Sequence, residues 1–268
     1  MSDPAPQGDD WGPPDIATDV PHPARIYDYW LGGKDNFEAD RSAGEFALGL
    51  LPEYRDYAHG NRQFLVRATR FLCDAGIRQF LDIGAGLPTS PNVHEIAQAT
   101  DPEARVVYVD NDPMVYVHAE ALMAKGATTS VVRADLRDVD TVVQQADELL
   151  DFSKPVALMF VASLHHVLDS DDPAGIVGRY LDAVAPGSYL VLSHIDYDYH
   201  PEKMRLGSEE ARRAGTIYEP RRREDILRMF NGRELLDPGL VLVSYWRPDG
   251  APGRNANRVM ALGGVAQL

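Results

Sequence analysis

Two apolar runs of strand length end in residues suited to holding a nucleoside. Phe80-Leu-Asp-Ile-Gly-Ala-Gly86 ends in glycines, and Val106-Val-Tyr-Val-Asp-Asn-Asp112 ends in carboxylates. Gly84 and Gly86 permit positive φ and close approach of a ligand to the backbone. Asp110 offers a charged acceptor for a ribose diol. Together they describe a nucleoside lying across the carboxyl ends of two neighbouring parallel strands. A dinucleotide loop would read G-x-G-x-x-G. Here Thr89, after Pro88, stands at the third glycine position, which disfavours a nicotinamide or flavin dinucleotide, as does the lack of a Tyr-x-x-x-Lys acid–base pair.

Acid–base chemistry has its own candidates at the ends of two later apolar runs. Ala162-Ser163-Leu164-His165-His166-Val167 follows one, and Ser193-His194-Ile195-Asp196-Tyr197 closes the other. His165 and His166 are consecutive, so both are not expected to face one pocket; a helix-capping and a solvated histidine is the competing reading. Strand alternation sends His194 and Asp196 to the same side, which allows a histidine–carboxylate pair or merely a polar strand end. His165, His194 and Asp196 are therefore the catalytic candidates. The histidines lack an assured facial arrangement for a metal, and none is expected.

These motifs resemble those of the class I S-adenosylmethionine-dependent methyltransferases. Asp82-Ile-Gly84-Ala-Gly86 is similar to their first motif, Asp110 to their ribose-binding acid, and Ala134-Asp135-Leu136-Arg137-Asp138 to the third motif, whose aspartate contacts the adenine amino group. Ala24-Arg-Ile-Tyr-Asp-Tyr-Trp-Leu-Gly-Gly-Lys-Asp-Asn-Phe37 resembles the signature of one methyltransferase family long catalogued as a domain of unknown function. Gly86–Glu95 and Tyr108–Pro113 are similar to that family's pattern, so the resemblance runs from about residue 22 to the C-terminus. It implies a Rossmann-like, doubly wound, mostly parallel seven-stranded sheet with a C-terminal antiparallel hairpin and an N-terminal helical cap.

The same resemblance implies S-adenosylmethionine as methyl donor and S-adenosylhomocysteine as product. Its cofactor-binding candidates are Asp82, Gly84, Gly86, Asp110, Asn111, Asp135, Leu136 and Ser163, joined from the cap by Arg25, Tyr27 and Asn36. Adenosylmethionine has no phosphates, so the Leu87–Pro91 loop need not aim a helix N-terminus at an anion. It does carry a carboxylate, which Arg25 is placed to clamp with two parallel hydrogen bonds. Methyl transfer from a sulfonium is an in-line displacement, and alignment is the protein's main task. A base is needed only when the acceptor must lose a proton. The chain lacks the Asn/Asp-Pro-Pro-Tyr motif of base and glutamine N-methyltransferases, so a small-molecule acceptor is expected. Two rivals stand beside this: a non-catalytic adenosylmethionine- or adenosylhomocysteine-binding protein and a nicotinamide-dependent oxidoreductase.

The elements that must position these residues are readable in outline. Residues 1–20 hold four prolines and five aspartates with no Lys or Arg, a composition that cannot bury enough apolar surface to order itself. Residues 21–76 show helical stripes, Phe46/Leu50/Leu51 and Phe64/Leu65/Ala68/Phe71/Leu72, and are expected to cap the sheet's carboxyl edge. Gly76 should stop the last helix. From 77 to 268 alternation predicts strands near 79–83, 105–110, 129–133, 155–161 and 188–194, with helices near 91–99, 113–125, 139–150 and 173–185. Ser90-Pro91 should open the first of these helices and Gly126 close the second. An Arg-rich insertion at about 200–233 precedes strand-like runs at 240–246 and 258–264, joined by a Pro248–Gly253 turn.

Composition excludes several classes. With 268 residues and 44% hydrophobic content the chain can bury one substantial core. A formal net charge of −15 repels polyphosphate backbones, so nucleic acid is not expected as partner. The longest apolar run, Val156–Leu164, is too short to span a membrane. No basic-then-apolar leader is visible, and a cytoplasmic location is expected. The lone Cys73 sits among Phe71, Leu72 and Ile77 and reads as a buried small hydrophobe. From Lys203 to Arg233 nine basic residues face five acidic ones. This reads either as a solvated helical face or as a positive wall for an anionic small substrate or an acidic partner.

Overall fold

The computed structural model describes residues 16–123, 127–251, 253 and 255–268. Five parallel strands, β1 (Gln79–Ile83), β2 (Arg105–Asp110), β3 (Thr129–Arg133), β4 (Ala157–Val161) and β5 (Tyr189–Ile195), are completed by two antiparallel ones, β6 (Val241–Leu242) and β7 (Ala261–Gln267). The order is β3-β2-β1-β4-β5-β7-β6. The chain reverses direction across the sheet between β1 and β4, the place where open α/β sheets bind ligands. Every residue of β1, β4 and β5 is buried, which is why they read as continuous apolar runs rather than alternating ones.

Helices cover both faces. On one lie α4 (Val93–Thr100) and the second half of α3 (Tyr54–Asp74), whose Phe64, Leu65, Ala68 and Leu72 share a core with Phe80, Val106, Met159 and Val191. On the other, α6 (Val139–Ala146) and α7 (Pro173–Asp182) pack Val142, Ala146, Val177 and Tyr180 against Leu81, Val107, Leu158 and Phe160. So α3 is only partly a cap; its apolar stripe makes it a sheet-covering helix. Gly76 ends it at φ +92° while the Ile77 amide donates back to the Leu72 carbonyl at 2.9 Å, a left-handed terminus that glycine adopts freely.

Several boundaries differ from expectation. Helix α4 starts at Val93 rather than Pro91, because the Glu95 carboxylate accepts from the Asn92 amide at 2.6 Å and defines the first turn. The expected stop at Gly126 for α5 (Pro113–Met123) lies outside the described residues. The strand expected at 240–246 is cut to two residues. Arg67 takes the Val243 and Trp246 carbonyls at 2.6 and 2.9 Å, and Trp246 turns inward against Phe64 and Phe71, with ring centroids 5.4 and 5.8 Å away. Carbonyls engaged this way cannot continue a ladder.

Two short helices, α1 (Pro23–Leu31) and α2 (Glu38–Leu50), lie at the sheet's carboxyl edge. Of the segment read as a tail, residues 1–15 lie outside the described residues, whereas Ala17 and Val20 are tied down: their carbonyls accept from Arg25 Nη1 and Nη2 at 3.0 and 3.2 Å. The Arg-rich insertion forms α8 (Pro201–Arg213) and α9 (Arg223–Arg228). Among the described residues no helix is long and apolar enough to cross a membrane. Cys73 is buried and free.

Candidate active site

A cavity of about 710 Å³ opens at the switch point, between the loops after β1, β2, β3 and β4 and the helices α1, α2, α3 and α8. Its size lies inside the roughly 300–1,000 Å³ typical of small-molecule sites. Its lining divides into two halves of different chemistry.

The sheet-edge half is made of loop backbone and carboxylates. Asp110 at the end of β2 accepts the Gly86 amide at 2.8 Å and the Asp112 amide at 3.0 Å, one on each oxygen, so it ties the two loops together. A carboxylate has about four acceptor directions, leaving lone pairs toward the cavity for a diol. Burial raises the Asp110 carboxyl, opposed by those two amides. Asp82 is pushed up to about 7 by burial, with Arg62 pulling the other way and Asp110 adding to the rise. Gly84 sits at φ +77°, and a Cβ there would lie 2.4 Å from Ser163 Cβ. Glycine at 84 is thus dictated by packing against the loop after β4 as well as by any ligand.

The residues present fit a nucleoside cofactor without phosphates. Ser163 Oγ lines the cavity, is buried and has no partner, so a polar ligand atom would satisfy it. Asp82 and Asp110, both buried, line the same half, and Asp110 stands at the end of β2 where such folds place a ribose-binding acid. Asp135, Leu136 and Asn111 also line this half. Asp135 is held by Arg137, which donates from Nε at 2.9 Å and reaches on to Asp171 at 3.1 Å; these hydrogen bonds keep the Asp135 carboxyl below its ordinary value.

Aromatic rings make the cap-side half. Trp30 stacks on Tyr54 with centroids 4.6 Å apart, Tyr27 meets Tyr57 edge-on at 5.8 Å, and Tyr218 and Tyr54 share a 2.7 Å hydrogen bond. Both His165 and His166 line the cavity. The expectation that only one would do so fails because Leu164–His166 form a tight 3-10 turn rather than the start of an α-helix. His166 Nδ1 hydrogen-bonds the Ile217 carbonyl at 2.7 Å. Burial lowers the pKa of His165 well below the ordinary value and that of His166 to about 4, so both are neutral at neutral pH.

Four expected site residues are not in the cavity lining. Arg25 is buried with its Nε 3.3 Å from Asp112 Oδ2 and 3.7 Å from Asp40, and its outer nitrogens hold the Ala17 and Val20 carbonyls. Its outer nitrogens are held by those carbonyls and it stands outside the cavity lining, in place of the expected two-bond grip on a ligand carboxylate. Asn36 braces the cap, donating to Asp28 at 2.8 Å and to the Gly33 carbonyl at 3.1 Å. His194 faces Arg221 at 3.0 Å and its own neighbour's carbonyl at 2.9 Å, inside the protein. Asp196 accepts from the Asp198 amide at 3.0 Å and caps the following turn. The imagined His194–Asp196 pair does not form. Tyr27, expected to bind cofactor, stands in the aromatic half, its hydroxyl donating to the Ala58 carbonyl at 2.9 Å and accepting from Asn61.

Other residues escaped the sequence reading. Tyr54, Tyr57 and Asn61 share one face of α3 at i, i+3 and i+7, a pattern that could have flagged them. Arg221, read as part of a solvated basic run, is 5% exposed and braces the loop after β4, donating to the Leu164 and Val167 carbonyls at 2.8 and 2.6 Å and to Asp169 at 2.8 Å. The basic wall itself does not face the cavity. Arg205, Arg212 and Arg213 are exposed and pair with glutamates, while α8 turns Gly207, Glu210 and Ala211 inward.

A doubly wound sheet with its last strand slotted antiparallel beside β5, a glycine turn at the switch point and a carboxylate ending β2 define a class I methyltransferase domain. The sequence matches the S-adenosyl methyltransferase family over residues 9–268, and the chain belongs to that family. It is similar to a DUF574 family protein of Streptomyces avermitilis, with 40% identity, 93% of this chain and 98% of that one covered, and a TM-score of 0.89. It is likewise similar to a candidate methyltransferase from Thermobifida fusca, with 40% identity, 97% and 99% covered, and a TM-score of 0.88. No curated protein matches it. The methyl donor of this family is S-adenosylmethionine.

Proposed function

We propose that the protein methylates a small molecule by in-line transfer, with donor and acceptor meeting inside one cavity. The observation that carries this reading is continuity: the lining runs unbroken from Gly84, Gly86 and Asp110 through Ser163 to His165, Tyr57 and Tyr218. Bound adenosylmethionine would supply an activated methyl group, so alignment and exclusion of water are what the chain must add. Asp110 would accept from the ribose hydroxyls. Asp82, kept largely protonated by burial below about pH 7, is ready to ionise against a cationic group. Asp135 and Leu136 would border the adenine. Helices α1 and α2 cover the cavity from the cap side. Neutral His165 can accept a hydrogen bond from an acceptor hydroxyl or amine, and its low basicity suits orientation better than stable proton storage.

The test combines calorimetry with turnover. Adenosylmethionine and adenosylhomocysteine should bind, NADH should not, and adenosylhomocysteine should accumulate when the protein meets the low-molecular-mass fraction of a cell extract. Binding of the cofactor with no product from any acceptor pool would favour the non-catalytic rival; binding of NADH alone would favour the oxidoreductase.

A further inference from the structure

The cap-side half of the cavity has no use so far beyond closing the site, yet its composition is selective. Its walls are rings: Tyr27, Trp30, Tyr54, Tyr57, Tyr218 and His165. The Trp30–Tyr54 stack presents ring faces that a further flat ring can continue, and Tyr57 and Tyr218 meet His165 edge-on at 6.5 and 6.0 Å. Offset and edge-to-face partners favour a planar aromatic guest beyond what buried area alone supplies.

Charge is the second selector. The two arginines of the lining, Arg62 and Arg137, stand at the sheet-edge half. Arg62 donates to the Thr89 and Pro91 carbonyls, and Arg137 is forked onto Asp135 and Asp171. His165 and His166 are neutral and Tyr57 and Tyr218 keep their protons, since burial lowers the former and raises the latter. The one carboxylate on the acceptor side, Glu210, pairs with Arg213 at 3.0 Å. Among the described residues no lysine or arginine lines the ring-walled half, and its carboxylate Glu210 is already paired, so neither an anionic nor a cationic guest is matched there. Either would leave a charge desolvated without a partner.

Polarity is supplied at two points. Tyr57 Oη and His165 Nδ1 belong to side chains that are 1% and 3% exposed, both line the cavity, and neither atom has a hydrogen-bond partner. Buried polar atoms are normally satisfied. Their two rings stand edge to face with centroids 6.5 Å apart, so the two unpartnered atoms belong to neighbouring side chains of one wall. Resting on the methyl-transfer reading above, we propose that the acceptor is an uncharged planar aromatic molecule whose hydroxyl or amino group is held by Tyr57 Oη and His165 Nδ1. As the new O–CH3 or N–CH3 bond forms, the donor's S–CH3 bond breaks, adenosylhomocysteine leaves, and the acceptor's proton passes by way of His165 Nδ1 to solvent.

The experiment uses the full chain, with and without saturating adenosylhomocysteine, and three matched probes: 2-naphthol, 2-naphthoate and a naphthyl-trimethylammonium. Binding is read by calorimetry and by Trp30 emission, with Trp30→Phe identifying the reporter. 2-Naphthol should bind saturably, and the anion and the cation at least tenfold more weakly. Tyr57→Phe and His165→Asn should each weaken 2-naphthol about tenfold while leaving naphthalene and adenosylhomocysteine affinity unchanged; two variants guard against one that misfolds. Equal or tighter binding of naphthoate or the trimethylammonium would overturn the proposal, as would unchanged 2-naphthol affinity in both variants. Failure of adenosylhomocysteine to bind would strike the methyl-transfer reading instead, and the probe arms run without it would still decide the aromatic selectivity.

Discussion

The two halves of the cavity are built by opposite means. The cofactor half comes from three short loops, residues 82–86, 110–112 and 134–137, each at the end of a strand, and it works with backbone amides, glycine conformation and carboxylates. The cap-side half, the proposed acceptor site, is assembled from side chains on α1, α3, the turn after β4, α8 and the segment after it, and it is mainly ring-lined. A shared cofactor asks for the same loop geometry at the same sheet edge, so the first half is local and repetitive. The second must match one acceptor and is free to draw on any element that reaches it. What joins the halves is a buried ionic knot. Asp112, next to the loop that Asp110 organises, lies 3.0 Å from His22 and 3.3 Å from Arg25, so the cap is moored beside the ribose carboxylate.

Breaking that mooring should have the largest effect. Arg25→Ala leaves Asp112 and Asp40 buried without their cation and should cost about 3–5 kcal/mol of stability, read by denaturant unfolding. Because Arg25 stands outside the cavity lining, adenosylmethionine and methylthioadenosine should lose affinity equally. A loss confined to adenosylmethionine would restore the carboxylate clamp. Next in size, Asp110→Ala should weaken adenosylmethionine by about 1.5–3 kcal/mol, roughly one to two decades, with naphthol binding in the acceptor half unchanged. Coupled losses in both halves would show that the loops after β1 and β2 support the aromatic wall.

A pH titration sharpens the comparison, because the halves carry titrating groups of opposite behaviour. The Asp82 carboxyl is raised to about 7 in the folded protein. Its contribution to stability is therefore complete below the ordinary carboxylate range and is lost as pH rises through about 7. A cationic ligand favours the ionised form, so adenosylmethionine affinity should increase by about tenfold between about pH 6 and pH 8. Asp82→Asn should flatten both trends. His165 and His166 shift the other way: lowered by burial, they contribute stability that is present above the ordinary imidazole range and lost on acidification. A cofactor affinity that fell with rising pH would remove Asp82 from the cationic contact. The smallest effect belongs to the exposed basic face. Arg212→Ala and Arg213→Ala break solvent-exposed pairs and should each change stability by less than about 1 kcal/mol. A large loss of acceptor turnover in either would revive the anionic-substrate reading.

What the sequence by itself determined is whatever short-range chemistry dictates. Apolar runs set five central strands to within a residue or two, Gly76 marked a helix end, and Gly84, Gly86 and Asp110 marked loops that line the cavity, because a positive φ or a strand-end carboxylate is a property of one position and its neighbours. Only the tertiary structure decided the rest. Arg25 read as a ligand clamp and Arg221 as part of an exposed basic run, yet each is buried on partners from other segments, Asp112 for one and Asp169 with the Leu164 and Val167 carbonyls for the other. His194 and Asp196 share strand parity, but Arg221 claims the first and a turn amide the second. Strand parity tells which side a residue faces and nothing about what waits there. The aromatic half is the extreme case: Tyr54 and Tyr218 touch across 164 residues of chain, and no periodicity in either segment encodes the other.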